Sequence, residues 1–168
     1  MRFTIRHSFD TDADTFWQKI FFDEEFNRAL CLDFLRFEVF RVLQFEREES
    51  GVITRSIQNQ PRAEVPPAVK RVLGDRVSFV EQGRFDPARG RWSFQVIPAL
   101  YADRIRTRGE LWLEPRGNRS IERVIDIEVG VKIFAIGSLV EELIEKQTRA
   151  NYEQAALFTR RWISEKGL

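Results

Sequence analysis

Cysteine and histidine are almost absent from this chain: Cys31 and His7 are the only ones among 168 residues. An intrachain disulfide is therefore impossible, which favours a reduced, cytoplasmic location. A zinc site of the usual Cys/His type cannot be assembled from two such residues, so we expect no bound metal. A Ser-His-acid triad would need His7 as its base, and no serine lies in a Gly-x-Ser-x-Gly elbow.

Long hydrophobic runs and a net charge of one sign are absent as well. The longest nearly apolar run, Ile133 to Val140, is far too short to span a bilayer, and the alternating N-terminus lacks the apolar centre of a signal peptide. With 27 basic and 26 acidic residues the net charge is +1. We therefore predict no stable membrane insertion and no nucleic-acid binding.

Arginines nevertheless form one local row, on a predicted strand that pairs with an acidic one. The row consists of Arg104, Arg106 and Arg108, and Asp126 and Glu128 have the matching parity on the next strand. Opposite charges on adjacent strands form cross-strand pairs on a solvated sheet face. We interpret the row as such a ladder rather than as a nucleic-acid site.

Motifs that bind ions or cofactors fail at their required positions. The stretch from Asp10 to Asp14 begins like a calcium loop, but Thr15 stands where glycine is needed and Phe21 where the bidentate glutamate is needed. The acids are better explained as helix caps. No phosphate-binding loop or dinucleotide fingerprint is present, so we predict no cofactor and no evident catalytic set.

The chain is rich in hydrophobic residues, at 43%, and in phenylalanine, with 15 of them. Its length suits one domain, residues 1–168, with a core that needs no cross-link. Phenylalanine at this density serves a large apolar core or the wall of an apolar pocket.

Residue periodicity predicts an α+β fold. A strand, Arg2 to Phe9, precedes two short helices, Ala13 to Phe22 and Asp23 to Leu32. Six further strands follow. The first of them, Leu35 to Arg47, changes the phase of its alternation near Phe40, which suggests a bulge. A small helical insert at Pro66 to Gly74 has proline at its start and glycine past its end. A long helix closes the chain. A strongly curved, seven-stranded antiparallel sheet can wrap around such a helix and leave a hollow between them.

The predicted closing helix, Ile133 to Ile163, carries polar residues on its apolar face. That face consists of Ile136, Val140, Leu143, Ile144, Ala155, Phe158 and Trp162, with Gln147, Asn151 and Gln154 in its middle. Buried amides need hydrogen-bond partners. The helix therefore either covers a cavity, where water or a ligand satisfies the amides, or lies at a wet margin of an ordinary core.

This order of elements resembles the START-like, helix-grip superfamily (SRPBCC), and the resemblance covers essentially the whole chain. Two stretches carry it locally, Asp12-Ala13-Asp14-Thr15-Phe16-Trp17 after the first strand and the segment from Val131 to Glu141. The superfamily includes the birch-pollen-allergen family, lipid-transfer START domains and polyketide aromatase/cyclases, and this chain looks most like an uncharacterised bacterial branch. The resemblance implies a deep pocket for an apolar or amphipathic small molecule, gated by the Pro66–Gly74 insert and by Gly137, although Gly137 equally fits a kink or a close-packing site.

Period-two parity on the strands and helical spacing on the last helix predict which side chains face that pocket. The predicted ligand-binding residues are Trp92, Phe94, Val96, Ile105, Thr107, Leu111, Ile125, Ile127, Ile136, Val140, Gln147 and Asn151. His7, Glu81 and Arg123 share the inward parity and are candidate polar anchors, because buried charges are costly unless they are paired or functional. Alternatively, each lies near a strand end and reaches solvent.

Three functions are compatible with these features. The first is binding or carriage of a hydrophobic or amphipathic small molecule, such as a lipid, polyketide or aromatic compound, without catalysis. The second is an enzyme of the aromatase/cyclase type acting on such a ligand. The third is a protein-interaction module that receives a partner in its groove. A hollow interior favours the first two, whereas a filled interior with an apolar outer surface favours the third.

Overall fold

The computed structural model describes residues 1–62, 65–74 and 77–168. The described residues form seven strands and four α-helices in the predicted order. They are β1 (Arg2–Phe9), α1 (Ala13–Phe16), α2 (Glu24–Arg28), β2 (Val39–Arg47), β3 (Ile53–Gln60), α3 (Pro67–Leu73), β4 (Phe79–Asp86), β5 (Arg91–Pro98), β6 (Ile105–Gly117), β7 (Ser120–Val131) and α4 (Gly137–Lys166). The strands pair antiparallel in the order β1-β7-β6-β5-β4-β3-β2. The predicted helix-grip fold is confirmed.

Two aspartates begin the two short helices. Asp12 accepts a hydrogen bond from the backbone N–H of Thr15 at 2.9 Å, and Asp23 accepts one from Phe26 at 2.7 Å. These bonds satisfy amide groups that the first helical turn leaves unpaired. Both helices continue as π-helical turns, at Trp17–Phe21 and Ala29–Phe34. The cap predicted among the acids from Asp10 to Asp14 is therefore present at Asp12, and Asp23 caps the second helix in the same way.

The second strand is shorter than the sequence predicts. We expected a strand from Leu35 to Arg47 with a bulge near Phe40, but the π-helical turn ends at Phe34 and β2 begins only at Val39. The shift in register lies between Val42 and Gln44. An extra residue in one strand of a pair bends that strand. Here the bend lies between Val42 and Gln44, whereas the alternation of the sequence placed it near Phe40.

Two glycines on the concave face allow large rings to lie flat against the sheet. A Cβ atom on Gly83 would lie 2.1 Å from Cζ2 of Trp92, and one on Gly109 would lie 2.7 Å from Cζ of Phe94. Both rings are buried, with 1% and 9% of their surface exposed. Glycine in these strands therefore makes room for a neighbouring side chain.

The closing helix begins four residues later than predicted, at Gly137 rather than Ile133. Ala135 has a φ of 65°, which the helix cannot contain, so the preceding residues form a turn instead. A Cβ on Gly137 would lie 2.9 Å from the carbonyl oxygen of Val131, so this glycine is a close-packing site. The backbone N–H of Val131 in turn donates to Glu141 Oε1 at 2.9 Å, which ties the helix start to the end of β7.

The convex face of the sheet is charged. Arg108 pairs with Glu128 at 2.8 Å, as the ladder predicts, but Asp126 pairs with Arg2 of β1 instead of the arginine row. Trp112 lies on this face, and the Arg91 guanidinium covers it at 4.4 Å from its ring centre. Exposed pairs of this kind contribute little to stability but keep this face solvated.

The core is densest where the short helices meet β4 and β5. Trp17 lies 4.6 Å from Phe85 and Phe21 lies 5.5 Å from Trp92, measured between ring centres. Such aromatic pairs add about 0.5–1.5 kcal/mol each beyond the area that they bury. No helix among the described residues is sufficiently long and apolar to cross a membrane.

Candidate ligand-binding cavity

A cavity lies between the concave face of the sheet and α4, and it consists of two chambers. Chamber 1 has a volume of about 220 Å³ and chamber 2 of about 230 Å³. One water molecule needs roughly 10–15 Å³ by this measure, so each chamber holds many more than a few waters. Five of the described residues line both chambers, so the chambers are adjacent and meet at a junction formed by Phe79, Val96, Thr107, Thr148 and Asn151.

Chamber 1 is the outer, apolar chamber. Val77 and Leu100, which lie on its wall, are 37% and 54% exposed, so the chamber reaches the surface at this point. Its described lining contains no charged side chain. The remaining wall comes from β5, β6, α4 and the segment around α3: Pro61, Val65, Val69, Ser78, Pro98, Ala99, Ile105, Val140, Leu143, Ile144 and Gln147.

Chamber 2 is the inner chamber, and none of its described lining residues is exposed. Its apolar wall comes from the short helices, from the concave face of the sheet and from α4. That wall includes Phe16, Ile20, Phe26, Leu30, Phe40, Ile57, Trp92, Phe94, Leu111, Ile127 and Ala155. Unlike chamber 1, it also contains charged side chains, namely Arg55, Glu81 and Arg123.

Arg55 and Glu81 form a loose pair on adjacent strands. Arg55 Nη2 lies 3.8 Å from Glu81 Oε1, which is beyond hydrogen-bond distance, and Arg55 Nη1 donates to the carbonyl oxygen of Phe21 at 2.6 Å. The guanidinium lies 4.6 Å from the ring centre of Phe21 and 5.1 Å from that of Trp92. Burial raises the pKa of Glu81, and the nearby Arg55 opposes that rise. Aromatic faces and one carbonyl therefore hold the arginine in place.

Arg123 is buried against His7 and two rings. Its Nη2 donates to His7 Nδ1 at 3.0 Å. Since arginine only donates, Nδ1 is the acceptor and His7 carries its proton on Nε2, which lies 3.1 Å from Glu153. Burial lowers the pKa of His7, and the positive charge of Arg123 lowers it further. The Arg123 guanidinium lies 5.1 Å from the ring centres of both Phe9 and Tyr152.

Tyr152 and Cys31 complete the polar side of this chamber as neutral groups. Burial raises the pKa of the Tyr152 phenol to about 12 and that of the Cys31 thiol to about 12. Both line chamber 2. A buried phenol needs a hydrogen-bond partner, and a molecule in the chamber can provide one.

The two predicted amides of α4 lie together at the roof. Gln147 Nε2 donates to Asn151 Oδ1 at 3.1 Å, one helical turn apart. Gln147 lines chamber 1, and Asn151 lines both chambers. Gln154 is exposed, so its prediction as an inward amide is wrong. An ideal helix places position 154 only about 20° from Gln147, so its exposure depends on where the neighbouring elements lie and not on helical spacing.

The structure places most of the predicted ligand-binding residues on the cavity wall. Those that line one or both chambers are Trp92, Phe94, Val96, Ile105, Thr107, Leu111, Ile127, Val140, Gln147 and Asn151. Ile125 and Ile136 do not line these two chambers. Ile125 is fully buried in the main core, and Ile136 packs against the smaller cluster around Val140. Neighbouring hydrophobic side chains pack against both residues, so neither faces a chamber.

The three candidate anchors do not meet at one point. Glu81 and Arg123 line chamber 2, whereas His7 lies behind Arg123 and contacts it rather than the chamber. All three share inward parity, as predicted. Parity gives the face of the sheet on which a side chain lies but not whether a neighbour stands between it and the cavity.

Arg55 lines the cavity but was not among the predicted site residues, although the sequence contains a signal for it. Ile53, Ile57 and Asn59 alternate on β3 and are buried, and Arg55 stands between them at the same parity, with 7% of its surface exposed. An arginine in such a row is a candidate site residue for the same reason as Arg123. Tyr152, by contrast, follows Asn151 directly, and helical spacing alone provides no reason to select it.

Residues 4–163 match the protein family described as "Protein of unknown function (DUF2505)". The chain belongs to this family. No curated protein matches the chain. The family assignment therefore extends from β1 almost to the end of α4 and includes every residue of the cavity described above.

Several solved structures share the fold over nearly their full length. The Zhui aromatase/cyclase from Streptomyces sp. R1128 is 13% identical with a TM-score of 0.65, covering 96% of this chain and 94% of its own. A START superfamily protein from Mycobacterium smegmatis is 14% identical with a TM-score of 0.59, covering 98% and 97%. Norcoclaurine synthase from Thalictrum flavum, in complex with dopamine and hydroxybenzaldehyde, is 18% identical with a TM-score of 0.63, covering 98% and 88%.

These similarities confirm the START-like resemblance that the sequence suggested. At identities below one fifth they establish the fold alone, since one fold hosts many functions. The chemistry of this protein has to be argued from its own cavity.

Proposed function

We propose that this protein binds and carries a hydrophobic or amphipathic small molecule in the cavity between the sheet and α4. The observation that supports this proposal most is the hollow itself. Two adjacent chambers lie where a close-packed core would otherwise be, and protein interiors seldom leave such space empty.

The lining of the cavity matches that ligand class. Burying apolar ligand surface contributes roughly 25 cal/mol per Å² before the costs of binding are subtracted. Chamber 1 offers Val69, Ile105 and Val140 for such contacts, and Gln147 and Asn151 offer a few orienting hydrogen bonds. This combination of apolar walls and sparse polar groups is typical of small-molecule sites. An aromatase/cyclase and a norcoclaurine synthase, both of which share the fold, are also proteins of small-molecule chemistry.

Binding of a neutral fluorescent probe tests the proposal. N-phenylnaphthylamine, which brightens in apolar surroundings, should bind the purified protein. Thr107→Phe, at the junction of the chambers, should weaken binding at least tenfold by filling the space. Arg106→Phe is the matched control, because it adds the same ring one residue away on the exposed face. No probe binding to the wild type, or equal loss in both variants, would contradict the proposal.

Native mass spectrometry of protein purified from its own host provides the second test. A co-purified small molecule that the Thr107→Phe variant lacks and the Arg106→Phe variant retains would identify the ligand. If both variants retain it, the molecule lies outside the cavity. We expect the protein to work in a reduced, cytoplasmic compartment, where its single cysteine, Cys31, stays a free thiol.

Glu81 supports a second candidate, an enzyme of the aromatase/cyclase type. Its carboxyl group is enclosed within the protein, yet 22% of its side chain remains accessible, and it lines chamber 2. Its raised pKa favours a protonated carboxyl that can donate a proton to a bound molecule. Incubation with extracts of host metabolites should then show a compound that the wild type consumes and Glu81→Gln binds but does not consume. Identical consumption would remove this candidate.

A further inference from the structure

Chamber 2 carries an excess of positive charge. Within its described lining, two guanidinium groups, on Arg55 and Arg123, face a single carboxyl group, on Glu81, whereas Tyr152 and Cys31 are neutral. If Glu81 is ionised the excess is one charge, and if it is protonated the excess is two. In either state the chamber lacks at least one negative charge.

Of the two arginines in chamber 2, Arg123 is the one that has no carboxylate of the described residues beside its guanidinium. No carboxylate oxygen of the described residues lies within 4 Å of its guanidinium, and 6% of the residue is exposed. Glu153 contacts the far side of His7 with a side chain that is 66% exposed, so solvent screens its charge. A buried charge without a partner is strongly unfavourable, and rings and one imidazole do not supply the missing charge.

Both arginines also keep unused hydrogen-bond donors. The Nε atoms of Arg55 and Arg123 are buried and have no hydrogen-bond partner. Their other bonds, to Phe21 and His7, fix the orientation of each guanidinium. Two guanidinium groups that line chamber 2, are fixed in orientation and are incompletely hydrogen-bonded form a site for an acceptor that arrives with the ligand.

We infer that the ligand is an amphipathic monoanion, a carboxylic acid with an apolar body. Its carboxylate lies in chamber 2 against Arg123 and Arg55, and its apolar body extends through the junction at Thr107 and Asn151 into chamber 1. This inference rests on the proposed function and specifies the class of molecule bound. Planar guanidinium groups suit the planar carboxylate, which accepts several N–H donors.

A series of ligands with one tail and different head groups tests the inference. Decanoate, decanol, decylamine and decyl phosphate are titrated against bound N-phenylnaphthylamine at neutral pH. Decanoate should bind about tenfold or more tightly than decanol, because only the carboxylate completes the charge balance. Decylamine should bind most weakly, because a second cation would face the arginines. Decyl phosphate should bind less tightly than decanoate, because the chamber with Glu81 ionised neutralises one negative charge and not two.

The outcomes separate this inference from the proposed function. If decanol and decanoate bind equally, or decylamine binds best, the anionic head group is wrong while the cavity remains a binding site. If decyl phosphate binds best, the anion is a phosphate and the carboxylate assignment is overturned. If the probe does not bind and none of the four is bound by calorimetry, both the inference and the proposed function fail.

Variants locate the head group. Arg123→Gln should reduce the preference for decanoate over decanol to about threefold or less, and Arg123→Lys should restore part of it by keeping the charge. Arg106→Gln is the matched control, since it removes one positive charge from the exposed face and should leave the preference unchanged. An equal fall in both variants would indicate a general charge effect and contradict the site. Should Arg123→Gln not fold, the wild-type series still decides the inference.

Discussion

The two chambers share the same sheet and helix but differ in chemistry. Chamber 1 opens near the exposed Val77 and Leu100, and no charged side chain occurs in its described lining, whereas chamber 2, whose described lining contains no exposed residue, contains Arg55, Glu81 and Arg123. The charged residues thus lie in the inner chamber. A globular protein normally places its charges the other way round.

This inversion matches the proposed ligand, which has a charged head group and an apolar tail. Charges in an enclosed, weakly polar space interact more strongly than charges at the surface, so the inner chamber is the better place for the proposed head group. The apolar chamber at the mouth accepts a tail without fixing its shape, since dispersion contacts are non-directional. The comparison therefore predicts that changes in chamber 2 alter selectivity, while changes in chamber 1 alter size tolerance.

The largest expected effect comes from the wall of chamber 2. In Gly83→Ala the new Cβ would lie 2.1 Å from the Trp92 ring, which Phe21 and Phe22 hold from the other side. The ring has to shift toward the chamber, and we expect a loss of about 1–3 kcal/mol in urea denaturation. Gly130→Ala, where nothing lies within 4 Å, should change stability by less than about 0.5 kcal/mol. Equal losses would show that the ring is free to move.

Thiol labelling compares the two chambers directly. Cys31 lies in chamber 2 and burial raises its pKa to about 12, so little reactive thiolate forms. We expect a neutral maleimide to label Cys31 at least about tenfold more slowly than the cysteine of a Cys31→Ser/Leu143→Cys variant, whose thiol lies in chamber 1. Mass spectrometry over time measures both rates. Similar rates would mean that both chambers are equally open.

The junction should affect selectivity more than stability. Asn151 lines both chambers, so Asn151→Leu should change the affinity for decanol relative to decane by about threefold to fivefold, the value of one hydrogen bond. The melting temperature should hardly change. Gln154→Leu on the exposed side of the same helix is the control and should leave affinity unaltered. Unchanged binding combined with lower thermal stability in Asn151→Leu would contradict this role.

The smallest expected effect is a pH dependence of folding stability that comes from His7, which lies behind Arg123 on the wall of chamber 2. Burial and Arg123 lower the pKa of His7 in the folded protein, so the folded state binds fewer protons than the unfolded one. Stability should therefore be complete above pH ~6.5 and fall as the pH decreases toward the lowered pKa. His7 is the only histidine, so His7→Gln should flatten the melting temperature across this interval. If the melting temperature of the variant still falls with decreasing pH, the pH dependence comes from carboxyl groups.

Local patterns predicted the elements, and most of the residues that they predicted to bind the ligand lie on the cavity wall. Alternation on β6 placed Ile105, Thr107 and Leu111 inward, and all three line the cavity. The same reasoning could not separate them from Ile125, which has equal parity but is packed over completely. Periodicity gives the direction of a side chain, whereas the size of a void depends on how far the helix stands from the sheet.

Charge pairing also required the tertiary structure. Arg55 and Glu81 are 26 positions apart in the chain, yet the pairing of β3 with β4 brings them to 3.8 Å. Arg123 and His7 meet through the pairing of β7 with β1. Parity predicts that a charged side chain points inward, but it does not identify the residue opposite. That depends on the register of the strands, which bulges and turns set and which local composition constrains only loosely.

The order of the elements, the inward faces of the strands and the absence of disulfide or Cys/His zinc chemistry thus follow from the amino-acid sequence. They depend on residue identity and on short-range geometry. Three further properties come from tertiary packing: the interior is hollow, it divides into two chambers, and Arg123 lies in one of them without a carboxylate. Voids and unpaired charges are properties of the distances between elements, and the position of α4 over the sheet sets those distances.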